Sequence, residues 1–288
     1  MSNVPLPDFP FTHLSAQVDG IQIRYIDAGD RDSPVILLLH GVPTWSYTFR
    51  KIIPVCLNAG HRIIAPDIPG FGMSDKPLDP KRYTLDNLFL WLSEFFISLR
   101  LEKVFIFGHD WGVIFGMMIA AKYPGKISGI IACNGFLPVL PAKAPLAFYL
   151  WRFFAKYSPY LPVGQIVNMG CNRRLTSIEK KGYDYPFSNN KEKIAVRILP
   201  GLIPLNYNAQ GAGHIKMIWD EMGKWNKPFL TVFSDNDSIT QGGHLVLQQS
   251  IPGTKNQPCR ILPGNHFLQE DAPVEIGKII NDFVNLNS

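Results

Sequence analysis

The segment Gly108-His109-Asp110-Trp111-Gly112 constrains this 288-residue chain more than any other. A short apolar run, Val104 to Phe107, precedes it, and a helix-like run, Val113 to Tyr123, follows. Strand, tight turn and helix in that order put one side chain, Asp110, at the tip of a sharp bend. The flanking glycines permit the close backbone approach that such a bend needs. An aspartate after a strand is often no more than a helix cap. Here other parts of the chain supply partners for chemistry. A carboxylate is already ionised at neutral pH. It can attack an sp3 carbon from behind and form an alkyl ester, leaving a histidine free to activate the water that hydrolyses it. Halide or a strained epoxide oxygen suits such a displacement as leaving group.

The rhythm around this segment predicts a doubly wound, mostly parallel sheet. Residues 12–28 alternate and break at Asp19-Gly20, which reads as a hairpin with Ile21, Ile23 and Tyr25 on one face. Val35 to Leu39, Arg62 to Pro66, Ile127 to Cys133, Phe229 to Phe233 and Cys259 to Leu262 read as strands. Leu85 to Leu99, His214 to Met222 and a last stretch to Val284 read as helices. From Phe136 to about Gly213 the rhythm stops. Eight prolines from Pro138 to Pro204 punctuate short helical pieces such as Leu146 to Lys156. The expected organisation is a core of residues 1–135 and 214–288 interrupted by a helical cap, 136–213.

A hydrophobic content of 46% with 12% aromatics is enough for one large core. The net charge of +5 comes from scattered pairs such as Arg50-Lys51 and Arg173-Arg174, without the basic stripe of a nucleic-acid binder. Cys56, Cys133, Cys171 and Cys259 have no metal-site or disulfide-framework spacing, so no metal and no cofactor are expected. Met1 to Pro7 lacks the marks of a signal peptide, and no apolar run reaches the ~18 residues of a membrane span. A cytoplasmic monomer with no membrane partner is the expectation.

Ligands of open α/β sheets bind beyond the carboxyl ends of the strands. Polar residues there include Ser234-Asp235-Asn236-Asp237 and Gly264-Asn265-His266. His266 is the candidate base. Asp237 or Asp235 would hold its second ring nitrogen, with Asp237 preferred, although loop aspartates often only cap turns. The order aspartate, acid, histidine is similar to that of the α/β-hydrolases, and the turn at Asp110 is similar to their nucleophile elbow. Backbone N–H groups of Trp111 and Val42 are the candidate oxyanion donors. A departing halide needs a donor that cannot compete as a nucleophile, which an indole N–H provides. Trp111 fits that role. Trp151, in the cap, is a second candidate, though spacing alone favours a packed aromatic there. His40 reads as a structural loop residue, and the His109 side chain is expected to point away from the tip. Phe148, Phe153, Phe154, Phe187 and Ile203 are expected to shape the pocket.

Over most of its length the chain resembles the haloalkane dehalogenases, and in particular the members whose second halide-binding tryptophan lies in the cap. The resemblance rests on His40-Gly41-Val42-Pro43-Thr44-Trp45, Asp67-Ile68-Pro69-Gly70-Phe71-Gly72, His109-Asp110-Trp111-Gly112, Phe233 to Thr240 and Gly264 to Asp271. Cap segments Trp151-Arg152, Leu161 to Gly164 and Tyr183 to Phe187 add to it. It implies catalytic Asp110, Asp237 and His266, halide binding by Trp111 and Trp151, a small halogenated alkane as substrate and halide as product. Other members carry an asparagine directly after the His-Gly pair; Val42 stands there, which assigns the second halide contact to Trp151. Val113 departs from the glycine that relatives often have after the elbow. Two other readings remain. An epoxide hydrolase would share the aspartate and the acid–histidine pair but needs cap tyrosines to protonate its alkoxide, and Tyr149, Tyr157, Tyr160, Tyr183 and Tyr185 are available. A non-catalytic homologue would keep only the pocket.

Overall fold

The computed structural model describes residues 6–288. The expectation that Met1 to Pro7 does not form a signal peptide falls partly on Met1 to Pro5, outside the described residues. β1 (His13–Val18) and β2 (Ile21–Ala28) form the hairpin, with Asp19 and Gly20 at φ 43° and 71°. β3 (Val35–Leu39), β4 (Arg62–Pro66), β5 (Val104–His109), β6 (Ile127–Cys133), β7 (Phe229–Ser234) and β8 (Cys259–Leu262) complete one eight-stranded sheet. Its order is β1-β2-β4-β3-β5-β6-β7-β8. The pairs β1–β2 and β2–β4 are antiparallel and the rest are parallel. Every residue of β3 and β5 is buried, as continuous apolar runs require when both faces of a sheet are covered.

The covering helices follow the sheet order. α1 (Ile53–Asn58) packs against α11 (Pro273–Asn287), while α3 (Trp111–Lys122) packs against α2 (Leu85–Ser98) and α8 (Ala212–Met222). α3 has ten buried residues out of twelve, so it sits on the sheet as an apolar rod rather than as an amphipathic helix. Between β6 and α8 the chain leaves the sheet and forms α4 (Leu146–Tyr157), α5 (Val163–Met169), α6 (Ser177–Asp184) and α7 (Ile194–Leu202). The last three lie in the proline-punctuated stretch that shows only fragments in the sequence. Local devices set their ends. Pro162 precedes α5, and Thr176 with Glu179 forms a capping box on α6. α9 (Gly243–Ser250) follows β7, and α10 (Leu268–Asp271) follows β8.

One buried ionic cluster fastens these helices to the core. Arg50 has 1% of its surface exposed. Its guanidinium donates to Glu270 Oε1 at 2.5 Å and Oε2 at 3.1 Å, and to Glu179 Oε1 at 3.0 Å. Lys51 donates to Glu179 at 2.8 Å, Arg173 donates to both glutamates, and Tyr183 Oη donates to Glu270 Oε1 at 2.5 Å. Glu179 and Tyr183 belong to α6 and Arg173 to the loop between α5 and α6, whereas Glu270 lies in α10. Burial on its own would raise both carboxyl groups. The cationic partners outweigh it and hold both below the ordinary glutamate value.

Glu270→Gln leaves the Arg50 guanidinium buried with its charge only partly matched. We expect unfolding in urea at pH 7 to cost about 3 kcal/mol less. Because both carboxyl groups are held low in the folded protein, the unfolded chain takes up protons first. The stabilisation is complete above about pH 4.5, the ordinary glutamate value, and fades as the pH falls further. Urea curves that superimpose for parent and variant would show that the cluster contributes nothing.

Candidate active site

The bend between β5 and α3 is built by backbone crowding. Asp110 adopts φ 51° and ψ −116°, a conformation that costs free energy for any residue with a Cβ. Glycines make room for it. A Cβ on Gly41 would fall 2.5 Å from Asp110 Cβ, and one on Gly135 would fall 2.5 Å from Asp110 O. A Cβ on Gly112 would fall 2.0 Å from Leu39 O, and one on Gly108 2.5 Å from Gly112 O. Val113, the departure noted above, is buried and its N–H donates to Asp110 O at 3.0 Å, so α3 starts regularly despite the larger side chain.

The carboxylate of Asp110 is fixed from two sides. Val42 N–H donates to Oδ2 at 2.9 Å, and Trp111 N–H also bonds the side chain. Burial is the largest influence on this group and raises its pKa. The charge of His266 and the two backbone donors pull the other way without cancelling it.

The structure brings His266 and Asp237 together and leaves Asp235 apart. His266 Nδ1 lies 2.9 Å from Asp237 Oδ2. Asp237 also accepts from Ile239 N–H at 2.8 Å and from the Thr240 hydroxyl. Burial would raise its carboxyl, but the His266 charge and these bonds dominate and hold it well below the usual range. Asp235 instead accepts from Gly264 N–H at 3.1 Å and ties the two loops together. For His266, burial alone would lower the pKa. The Asp237 charge and hydrogen bond, with the Asp110 charge, outweigh it and push the imidazole up to about 9. At neutral pH it therefore holds a proton between two carboxylates.

The histidine loop is itself held by residues that the sequence did not flag. Asn134, at φ 37° just after β6, donates from Nδ2 to the carbonyls of Asn265 and His266, both at 3.0 Å. Its Oδ1 accepts from Ser234 N–H at 2.8 Å. His109 Nε2 donates to the His266 carbonyl at 2.8 Å, and burial pushes its pKa down to about 3, so it stays neutral. Asp271 accepts from Asn265 N–H and from Asn172 and Arg173 N–H, each at 2.9 Å. Asn134 is a polar residue directly after an apolar strand, the same signal that marks Asp237 and His266. His40 bonds Gly41 O and Ile68 N–H, a loop-bracing role.

Two cavities of about 250 and 260 Å³ meet at Asp110, Trp111, Phe148 and Ile239. The larger holds Val42, Trp151 and His266 as well, so Asp110, His266 and two indoles share one space. Among the described residues the indole N–H groups of Trp45, Trp91 and Trp219 have protein acceptors, whereas those of Trp111 and Trp151 have none. The smaller cavity is lined by Phe136, Pro138, Val139, Ile203 and Leu205. Of the residues expected to shape the pocket, Phe148 and Ile203 do so. Phe187 is buried elsewhere, and Phe153 (65% exposed) and Phe154 (39%) face outward. None of the six tyrosines of residues 136–213 lines either cavity; Tyr183 is taken up by Glu270, and Tyr149, Tyr157, Tyr160 and Tyr207 are exposed.

Comparison with known proteins places the chain in a family. A sequence model of the alpha/beta hydrolase fold matches residues 34–165. The chain is 38% identical to a haloalkane dehalogenase of Mycobacterium marinum over 260 residues, covering 90% of this chain and 88% of the relative. It is 36% identical to one from Psychrobacter cryohalolentis over 288 residues, covering 98% and 95%. Among solved structures, a haloalkane dehalogenase of Paraglaciecola agarilytica, described as tetrameric, superposes with a TM-score of 0.88 at 29% identity, covering 95% of this chain and 93% of that one. A haloalkane dehalogenase of Bradyrhizobium elkani, 21% identical with a TM-score of 0.84, shares the fold. With more than a third of its residues shared along nearly its whole length, the chain belongs to the haloalkane dehalogenases.

Proposed function

We propose that this protein hydrolyses small haloalkanes to a primary alcohol, a halide ion and a proton, with Asp110 as nucleophile. The observation that carries this reading is the shared cavity, in which two indole N–H groups without protein acceptors flank Asp110 and His266. In the first step a carboxylate oxygen of Asp110 forms a bond to the halogen-bearing carbon. The carbon–halogen bond breaks and its electron pair leaves with the halide, which Trp111 and Trp151 hold by their indole N–H groups. The apolar walls strip water from the anion and strengthen both bonds.

The second step uses the proton balance of the site. Esterification removes the negative charge of Asp110, one of the influences that raise the His266 pKa. The imidazole gives up its proton more readily once the ester has formed. Neutral His266 then takes a proton from water as the oxygen attacks Asp110 Cγ, and Asp237 stabilises the imidazolium that results. Val42 and Trp111 N–H groups, already bonded to the carboxylate, are placed for the negative charge that builds on the carboxyl oxygen. The leaving oxygen takes the proton from the His266 imidazolium as the acyl–oxygen bond breaks, and the new carboxyl group of Asp110 releases its remaining proton to solvent and is ionised again.

Residues 136–213 are proposed to act as the cap that closes this site, and 1–135 with 214–288 as the core that carries the chemistry. Every side chain in the scheme comes from one chain, so a monomer suffices. The four cysteines are unpaired, which fits a cytoplasmic setting. The described residues contain no helix long and apolar enough to cross a membrane. An epoxide hydrolase is disfavoured because its alkoxide needs a phenolic proton donor and the cap tyrosines lie outside both cavities.

Incubation with 1,2-dibromoethane should release bromide, and incubation with styrene oxide should give no diol; the reverse pattern would refute the proposal. Asp110→Asn should abolish bromide release. His266→Phe should stop after one turnover and carry the alkyl ester as a mass increase on the protein, whereas steady turnover by that variant would remove His266 from the mechanism. Trp151→Phe loses one charge-assisted hydrogen bond, so halide affinity, followed by tryptophan fluorescence, should fall roughly tenfold or more.

In rapid-quench experiments the bromide burst should persist at pH 6, because ester formation needs no free base. Ester hydrolysis should slow as the pH falls through the pKa of His266 in the ester, which lies below the value of about 9 in the free site. Parallel loss of both phases would show that His266 does not act in hydrolysis alone.

A further inference from the structure

Helix α4 has two apolar faces, and only one of them is used by the site. Phe148 and Trp151 turn inward to the cavities, and Ala155 is buried. Leu146, Tyr149, Leu150, Phe153 and Tyr157 follow the i, i+3, i+4, i+7, i+11 spacing of a single helical face and are between 44% and 73% exposed. The Phe153 and Tyr157 rings lie 4.9 Å apart and form a continuous aromatic surface. A stripe of this size is uncommon on a protein surface without a binding role.

Its electrostatic setting selects the partner. No aspartate or glutamate occurs between Trp111 and Ile178, whereas Lys143, Arg152 and Lys156 flank or lie within α4. Arg152, Lys156 and Arg197 line one groove between α4 and α7. Lys156 Nζ lies over the Tyr157 ring at 5.0 Å. A second copy of this face would bring like charges together across an apolar seam. An anionic lipid surface would accept the aromatic and leucine side chains among its acyl chains and the cations among its headgroups.

We propose that the outer face of α4 docks the protein on an anionic lipid surface, lying on the bilayer rather than spanning it. Lys143, Ala144 and Pro145, which lead into α4, also line the smaller cavity beside Asp110. Docking therefore brings the rim of that cavity to the edge of the hydrocarbon, where apolar haloalkanes concentrate. This last consequence rests on the function proposed above; the docking itself does not.

The test is co-sedimentation of the full chain with vesicles of phosphatidylcholine and phosphatidylglycerol, without substrate. Binding should exceed that to pure phosphatidylcholine and weaken in high salt. Leu150→Gln/Phe153→Gln should lose binding at least tenfold, and Lys156→Glu at least fivefold. Both variants should keep bromide release in lipid-free buffer, which shows that they fold. No sedimentation with anionic vesicles, or equal binding by the parent and the Leu150/Phe153 variant, would overturn the proposal. So would a dimer in sedimentation equilibrium that the Leu150/Phe153 variant dissociates while vesicles bind neither protein; that result would give the face to a second copy.

Discussion

Close packing of backbone against Asp110 is the constraint on which the rest of the structure depends. Gly41 and Gly135 come from two loops, Gly108 from the end of β5 and Gly112 from the start of α3, and each lies where a methyl group would strike backbone or the Asp110 side chain. The strained conformation of Asp110 persists because these surfaces leave it no other place. That packing also lines up β3, β5 and β6 at their carboxyl ends. The Val42 N–H and the loops after β6 and β7 therefore meet around one carboxylate.

Charge then does what packing began. Three ionisable groups, Asp110, His266 and Asp237, sit within one buried set, so the state of each depends on the others. Asp237 stays ionised whatever happens to Asp110, because its bonds to His266, Ile239 and Thr240 remain. Asp110 is the variable member. In the proposed mechanism, its conversion from anion to ester changes the charge beside the imidazole and so links the completion of one step to the readiness of the proposed base for the next.

Much of the core was legible in the sequence. Val35–Leu39, Arg62–Pro66 and Ile127–Cys133 match their expected bounds because buried strands are written as short apolar runs ended by turn residues, and the exposed edge strand Cys259–Leu262 matches as well. The helices α5, α6 and α7 were not legible. They are short, of seven to nine residues, and Pro200 lies inside α7, so the prolines and the brevity of each piece hide them although α6 and α7 are amphipathic. Asp110 and His266 stood out because a charged residue after an apolar strand is conspicuous. Asn134 has the same placement, but an amide does not announce chemistry. The protonated state of His266 could not be read at all, since it depends on distances between three segments far apart in the chain. The outward turn of Phe153 was hidden because every face of α4 except a narrow basic strip is apolar.

The ties of the histidine loop to the inserted helices have a mechanical consequence. Phe267 N–H donates to Gly170 O, Asp271 caps Asn172 and Arg173, and Glu270 shares the ionic cluster with Glu179. The segment made by α5 and α6 is thus tied to the loop bearing His266, so a displacement of one pulls on the contact between His266 and Asp237. Among the described residues no hydrogen bond or ion pair joins that loop to α4 or α7, which pack on each other. Breathing that admits substrate or releases alcohol is thereby directed to the α4–α7 half, and the lid can open on one side while the base keeps its alignment.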